Sequence, residues 1–499
     1  MKRIFKLLTN RIVITALSII FQMIIGFSLL FYFDEVFKYY ILAWHALAVI
    51  CSVGVINTSM NSAYKITWLI VLLGVPVVGV TLFIFLYGRL FTWLRKKRML
   101  SITQSLENEA CKTSNITLPR RLKRQSDYIT RYAHSAPLKN TRARYFPSGE
   151  NFFSALLEDI KAAQSRIYME YFIIKDGYMW GEIKKALIEK AQKGLDIRII
   201  FDDMGSVEQI SKSEMRRLKK QGIKIITFNP FVPVLSTVTN NRDHRKLCII
   251  DSKIAYCGGV NLADEYININ ARFGHWKDCA IALYGEAAYT NELFFLTLWE
   301  YITKEKIRNE KPSFELIDQG IYQPYTDSPM DSEPLGENIY INIISNAKKY
   351  VYISTPYLII GDEMIRAITN AAKCGVDVRI VVPHIPDKKT VNQITKSHYL
   401  RLISAGVKIY EYKNGFNHSK IVISDDEIAT IGSVNFDFRS FYLSFENGVV
   451  IYDSPVISDI YNDYSAMMQE SIPITKQMCK ASLPKRIIRA MLAAIASFF

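Results

Sequence analysis

The sequence predicts an α/β protein: two similar units, each of mostly parallel strands sandwiched between helices, packed face to face over one shared site and preceded by N-terminal transmembrane helices. Three observations carry this expectation. One eight-residue pattern occurs twice, the landmarks around it repeat in the same order, and long apolar runs are confined to the chain before residue 99.

The pattern is His-x-Lys-x4-Asp, present as His244-Arg-Lys246-Leu-Cys-Ile-Ile-Asp251 and as His418-Ser-Lys420-Ile-Val-Ile-Ser-Asp425. Each copy leads into a short apolar, β-branched run of the kind that forms a buried strand. If strand geometry reaches back to the histidine, alternation places His and Lys on one face. Around the pattern, Ala186 to Ile200 matches Ala367 to Val381 as a helix, a glycine cap (Gly194, Gly375) and a buried strand. Leu218…Gly222-Ile-Lys224 matches Leu402…Gly406-Val-Lys408, and Gly258-Gly259-Val-Asn261 matches Gly432-Ser433-Val-Asn435. Upstream, Arg166 to Tyr171 has its counterpart in Tyr350 to Tyr357. The alternation of helix and strand in each half gives the α/β class. A unit with one His and one Lys then requires its partner to complete the site.

In chain order, residues 1–98 form a membrane region with two to three transmembrane helices. The uncharged run 12–33 is long enough to span a bilayer; Tyr39 to Ile56 and 66–88 follow, the last being the strongest candidate. Residues 99–144 are polar and basic and are expected as a linker that can also meet anionic headgroups. The two units then occupy 145–312 and 313–483, and 484–499 forms an amphipathic tail suited to lying on a membrane or docking on the protein. Basic residues Arg89 and Arg95 to Arg98 after the third run place the large domain in the cytoplasm of a multi-pass membrane protein.

With 499 residues, nearly half of them apolar, the chain has room for several buried cores. The net charge of +15 points to an anionic partner, whether nucleic acid, a phosphate-bearing substrate or an acidic membrane. Seven scattered cysteines without CxxC spacing read as reduced packing residues.

The chemistry follows from the side chains. A charged lysine cannot ligate a metal, and the histidines lack the closely spaced partners a zinc site needs, so no metal and no cofactor is expected. The catalytic set is His244, Lys246, Asp251, His418, Lys420 and Asp425, within which the two aspartates end their strands and brace turns. Lys246 and Lys420, with the amides of Asn261 and Asn435, suit a phosphodiester, holding phosphoryl oxygens as charge builds. One imidazole attacks phosphorus, and the other protonates the departing oxygen and then deprotonates the incoming nucleophile. Glu446 and Asp278, each on a segment downstream of its motif, are the candidates to orient the rings.

These residues resemble the phospholipase D superfamily, and within it the bacterial cardiolipin synthases. Asp202…Gly205-Ser206, Trp276-Lys277-Asp278, Thr355-Pro356-Tyr357 and Arg439-Ser440 fit the same pattern, over about residues 145–480. The resemblance implies phosphatidyl transfer between two phosphatidylglycerol molecules through a phosphohistidine. His244 is expected as nucleophile and His418 as acid and base, an assignment the near-symmetry leaves reversible. A serine contact near phosphate is expected only from Ser433, because the first loop carries glycine there. Rivals within the superfamily are a hydrolytic phospholipase D, a phosphatidylserine synthase and a nuclease, the last opposed by the membrane region. From another class, an inactive membrane lipid-binding protein is opposed by the intact duplicate His, Lys and Asn.

Overall fold

The computed structural model describes residues 24, 37–87, 89–110, 116–206, 209–230, 241–314, 318–331 and 333–498. They fall into two compact units, one within 1–95 and 229–241, the other within 96–228 and 242–497.

In the first unit, helices Phe37–Ile56, Ser62–Gly74 and Pro76–Tyr87 pack around Ala48, Val55, Trp68, Leu72 and Val80, with Phe83 edge-on to Trp68 at 5.3 Å. Tyr39–Ile56 is the one helix among the described residues long and apolar enough to cross a membrane. The run expected as the strongest span is divided instead. Pro76 lacks an N–H and disfavours helical geometry in the residue before it, and Val75 accordingly sits at φ −139°, ψ 74°. The run at 12–33 lies outside the described residues.

The second unit holds both repeats. The first contributes β1 (Leu138–Phe146), β2 (Arg166–Tyr171), β3 (Asp196–Asp202), β4 (Lys224–Phe228), β5 (Arg242–Asp243), β6 (Lys246–Ile250), β7 (Ile254–Gly258), β8 (His275–Lys277) and β9 (Ala280–Gly285). The second contributes β10 (Asp318–Asp327), β11 (Tyr350–Ser354), β12 (Leu358–Ile359), β13 (Asp377–Pro383), β14 (Lys408–Tyr412), β15 (Gly415–Asn417), β16 (Ile421–Ser424), β17 (Ile428–Gly432), β18 (Phe436–Asp437), β19 (Ser444–Tyr452) and β20 (Ser471–Pro473). The first repeat orders its strands β4-β3-β2-β6-β7-β9-β1 and the second β14-β13-β11-β16-β17-β19-β10. Antiparallel pairing of β1 with β10 joins the two into one sheet.

The mostly parallel sheet expected from the sequence is corrected to a mixed one. Along the main path of the sheet β2, β3 and β4, and likewise β11, β13 and β14, run parallel and the other neighbours antiparallel, while β5 with β19, β8 with β15 and β12 with β18 form short parallel pairs. The tight turns at 251–253 and 425–427 leave no length for a crossover helix, so β6–β7 and β16–β17 must be antiparallel hairpins. Asp251 and Ser252 take φ of 53° and 57°, and Asp425 and Asp426 take 56° and 60°, the left-handed geometry that aspartate tolerates in such turns.

Strand alternation builds three cores. Leu247 and Ile249 of β6 share one with Ile421 and Ile423 of β16, together with helices Glu286–Thr303 and Val456–Gln469. Cys248 and Ile250 face a second core on the outer side of the first repeat, and Val422 a third on the outer side of the other. The repeats thus meet through one inner core as well as along a sheet edge.

The basic linker expected at 99–144 is also corrected. Helix Arg120–Tyr132 buries Leu122, Gln125, Ser126 and Ile129 between its basic residues and joins the second outer core, and β1 starts at Leu138 inside the sheet. The apolar stripe is only two large side chains wide, too thin to stand out against the charge. Ile129→Ala is expected to lower unfolding free energy by about 3 kcal/mol in chemical denaturation, as at a fully buried core position. A linker residue would register no change.

Candidate active site

Neither histidine lies within a regular strand. β6 starts at Lys246 and β16 at Ile421, so His244 and His418 occupy the chain just before each strand. What holds them comes from the opposite repeat. β5 pairs with the start of β19, and the His244 N–H donates to the Phe445 carbonyl at 2.9 Å. β15 pairs with β8, and the His418 N–H donates to the Lys277 carbonyl at 2.7 Å.

The carboxylates are exchanged in the same way. Nδ1 of His244 lies 3.0 Å from both oxygens of Glu446, and Nδ1 of His418 lies 2.6 Å from Asp278 Oδ2. Each carboxylate follows one motif and serves the histidine of the other, a pairing the sequence left open. With a proton held between Nδ1 and the carboxylate, Nε2 is the ring nitrogen left for chemistry.

Both histidines line one cavity of about 410 Å3. The first repeat adds Phe172, Asn261, Tyr266, Arg272 and Trp276 to its wall, and the second adds Tyr357, Lys388, Asn435, Asp437 and Arg439. Rings fix the imidazoles from the side: Phe172 meets His244 edge-on at 5.1 Å, and Tyr266 meets His418 edge-on at 5.4 Å. Asp202 accepts from the N–H groups of Met204, Gly205 and Asp243, while Ser206 accepts from Ile174 N–H and donates to the Phe172 carbonyl. That loop braces the Phe172–Ile173 stretch of the wall. Lys388, Arg242, Arg272, Tyr266 and Phe172 were not legible as site residues, because none of them recurs at the matching place in the other repeat. Arg439 had a signal in the Arg439-Ser440 pair already noted after Asn435.

The remaining expected residues divide. Lys246 and Lys420 are buried, and each ammonium donates to the carbonyl of its own motif's histidine. Asn261 reaches the cavity with its amide already engaged, Oδ1 accepting from Ile173 N–H at 3.0 Å and Nδ2 donating to Tyr266 Oη at 2.7 Å. Ser433 does not face phosphate as expected: the hairpin turns its hydroxyl toward Glu446, to which it donates. Asp251 accepts from the N–H groups of Gln164, Ser165 and Arg166, and Asp425 from those of Lys348, Lys349 and Tyr350. Both aspartates pin chain segments and lie away from the cavity lining.

A loop difference between the repeats has a steric cause. A Cβ on Gly259 would stand 2.0 Å from Asp278 Oδ1, so no side chain fits beside the shorter carboxylate. The other repeat pairs Ser433 with the longer Glu446. Beneath the histidines the repeats differ again. Arg245 pairs with Glu170 at 2.6 Å and bonds Asp243, all buried, where the second repeat places Ser419 on Ser354 at 2.7 Å and on Asn417.

Burial and the neighbouring lysines favour the neutral form of both rings. Burial, reinforced by Lys246 and Lys420, pushes His244 well below the usual imidazole range. Burial and then Lys420 push His418 down to about 3, against the pull of Asp278. Burial also lowers Lys246 to about 7 and Lys420 to about 8, and raises Glu446 to about 7. An anion between the lysines opposes each of these cationic effects.

The family profile described as cardiolipin synthase, PLD-like domain, matches residues 156–273 and 340–468. The chain is 38% identical over 459 residues to an uncharacterized protein of Streptococcus mutans, covering 88% of this chain and 98% of that one. It is 33% identical over 432 residues to a cardiolipin synthase of Alkalihalophilus pseudofirmus (83% and 84% of the two chains). It is 35% identical over 438 residues to cardiolipin synthase 2 of Bacillus anthracis (85% of each). Among solved structures, phosphatidylserine synthase of Haemophilus influenzae superposes with TM-score 0.56 at 15% identity, covering 75% of this chain and 98% of that one, a likeness of fold.

Two measurements test the site. Gly259→Ala is expected to displace Asp278 and lower turnover by roughly 100-fold, with thermal unfolding showing a folded protein; unchanged turnover would remove Asp278 from the orienting role. Because the ammonium forms of Lys246 and Lys420 are lost as pH rises through about 7 and about 8, sulfate, whose charge is constant there, should bind progressively more weakly above pH 8. Calorimetric titration showing pH-independent sulfate affinity would contradict this.

Proposed function

The chain belongs to the phospholipase D-like cardiolipin synthase family, and from that membership we propose that it joins two phosphatidylglycerol molecules, giving cardiolipin and glycerol. The observation that carries the chemistry is the pair of Nδ1-anchored imidazoles opening into one cavity, with a buried lysine behind each.

In the first half-reaction, Nε2 of His244 attacks phosphorus of the first phosphatidylglycerol. The phosphorus–nitrogen bond forms as the bond to the glycerol oxygen breaks, and His418 Nε2–H supplies the proton that glycerol carries away. In the second, His418 takes the proton from a hydroxyl of the second phosphatidylglycerol, whose oxygen displaces His244 from phosphorus. The proton returns to its starting place and both bonds are exchanged without a net change in protonation.

His418 must be protonated to act first, which its burial and Lys420 disfavour. A phosphodiester anion placed between Lys246 and Lys420 offsets the share of the lowered pKa that is due to the lysines, and Asp278 then stabilises the imidazolium. Each ammonium spends one of its three N–H groups on a histidine carbonyl, which leaves two for phosphoryl oxygens. Arg439 and Lys388 on the wall add positive charge where the substrate enters. Glu446 holds the His244 tautomer and balances the charge that develops on the ring as the phosphohistidine forms.

The substrate supply favours a multi-pass membrane protein with its catalytic part on the cytoplasmic side. Helix Tyr39–Ile56, the kinked pair Ser62–Gly74 and Pro76–Tyr87, and the basic residues Arg89 and Arg95 to Arg98 beyond them support that reading.

Purified protein given phosphatidylglycerol as its lone lipid, in the presence of a chelator, is expected to release cardiolipin and glycerol in equal amounts. Phosphatidic acid as the main product would sink the transferase reading in favour of hydrolysis. Phosphatidylglycerol labelled in its phosphatidyl part is expected to label the His418→Ala variant covalently and to leave His244→Ala unlabelled. The reverse pattern would exchange the two roles.

A further inference from the structure

Helix Leu483–Ala494 is docked the wrong way round for a soluble protein. Leu483, Ile487, Ile488 and Met491 recur at helical spacing and share one face, and they are 67%, 52%, 53% and 66% exposed. The side turned to the protein is the other one. Only Arg489 and Leu492 within the helix are half-buried, and Arg489 Nε donates to Gln393 Oε1 at 3.1 Å. A surface helix normally buries its apolar stripe; this one rests on the protein through Arg489 and Leu492 and leaves the stripe open.

The place of that contact matters. Gln393 belongs to helix Lys389–Ser404, and Lys388 and Val391, one turn away, line the active-site cavity. The cavity's rim carries the same mixture of apolar and basic groups. Ile385 is exposed three residues before Lys388, and Ile269 is exposed three residues before Arg272, with Lys388 and Arg272 both on the wall. Lys485 and Arg486 add exposed charge to the helix itself.

We propose that helix Leu483–Ala494 lies in the surface of an anionic phospholipid bilayer, apolar face down, and holds the mouth of the cavity against that surface. An apolar face flanked by lysine and arginine matches acyl chains below and anionic headgroups at their level. A second protein would have to cover the same stripe without the charge match. The proposal rests on the reading of the substrate as a phospholipid, whose tails stay in the bilayer while its headgroup enters the cavity.

The test uses the full chain reconstituted into vesicles of equal parts phosphatidylglycerol and phosphatidylcholine, the latter brominated in its upper acyl chain. Relative to the parent protein, Ile488→Trp should add an indole signal that the bromines quench, and quenching should fall in vesicles of brominated phosphatidylcholine alone. An added signal that is not quenched in the anionic vesicles overturns the proposal, as does a spectral shift that depends on protein concentration in detergent, the mark of self-association. The combined Leu483→Ser, Ile487→Ser, Ile488→Ser and Met491→Ser variant should lose about tenfold in turnover of vesicle phosphatidylglycerol and keep its turnover of a dispersed short-chain analogue. Equal loss on both substrates also overturns it. If the parent makes no cardiolipin from either, the fault lies with the proposed reaction, and the quenching still decides the helix.

Discussion

The exchange of carboxylates between the repeats is the contact on which the site depends. Glu446 of the second repeat holds His244 at 3.0 Å, and Asp278 of the first holds His418 at 2.6 Å. The backbone repeats the exchange, since each histidine N–H donates to a carbonyl on the opposite repeat. Neither repeat can orient its own imidazole, so a single repeat folded by itself would present a ring with no fixed tautomer. Duplication here does more than double a motif, because it makes each half the scaffold of the other's reactive group.

The fold supports this by making the halves inseparable. The β1–β10 pairing turns two sheets into one, and Leu247, Ile249, Ile421 and Ile423, which follow the two motifs, pack into the same inner core. A shift of one repeat against the other would break both the ladder and the core, a penalty far larger than that of moving a surface loop. That rigidity is what a displacement at phosphorus needs, because misplacement by about 1 Å costs roughly 100-fold in rate. Within this near-symmetry the small differences are local and steric. Gly259 makes room for Asp278, and Ser433 reaches the longer Glu446. Under His244 the buried set is Asp243, Arg245 and Glu170, while under His418 it is Asn417, Ser419 and Ser354. The two imidazoles share a cavity but not an environment, which is the condition for giving them different roles.

Burial shapes the charges in the cavity more than any single pair does. It is the leading influence on both histidines, both lysines and Glu446, pushing each toward its neutral form. A phosphodiester anion works against burial for the lysines and the imidazoles, since it favours the charged lysines and the protonated ring together. Substrate binding and readiness for proton transfer become one event.

Much of the site was readable in the chain itself. The two His-x-Lys-x4-Asp copies, the glycine-capped helix-to-strand steps and the Gly-x-x-Asn loops repeat in register, and local repetition needs no tertiary knowledge to be seen. The turn-forming role of Asp251 and Asp425 followed from their position at the strand ends. By contrast, helix Arg120–Tyr132 was hidden because its thin apolar stripe sits among basic residues, and the break at Pro76 showed only in the backbone. The mixed sheet, the β1–β10 joint, the turning of Ser433 toward Glu446 and the arrival of Lys388 and Arg272 at the wall are likewise products of packing. The sequence by itself determined which side chains are duplicated and so which chemistry is possible. Only the tertiary structure decided which carboxylate serves which imidazole, because the partners lie 202 and 140 residues apart and their meeting is set by strand pairing between the repeats, which leaves no local pattern to read.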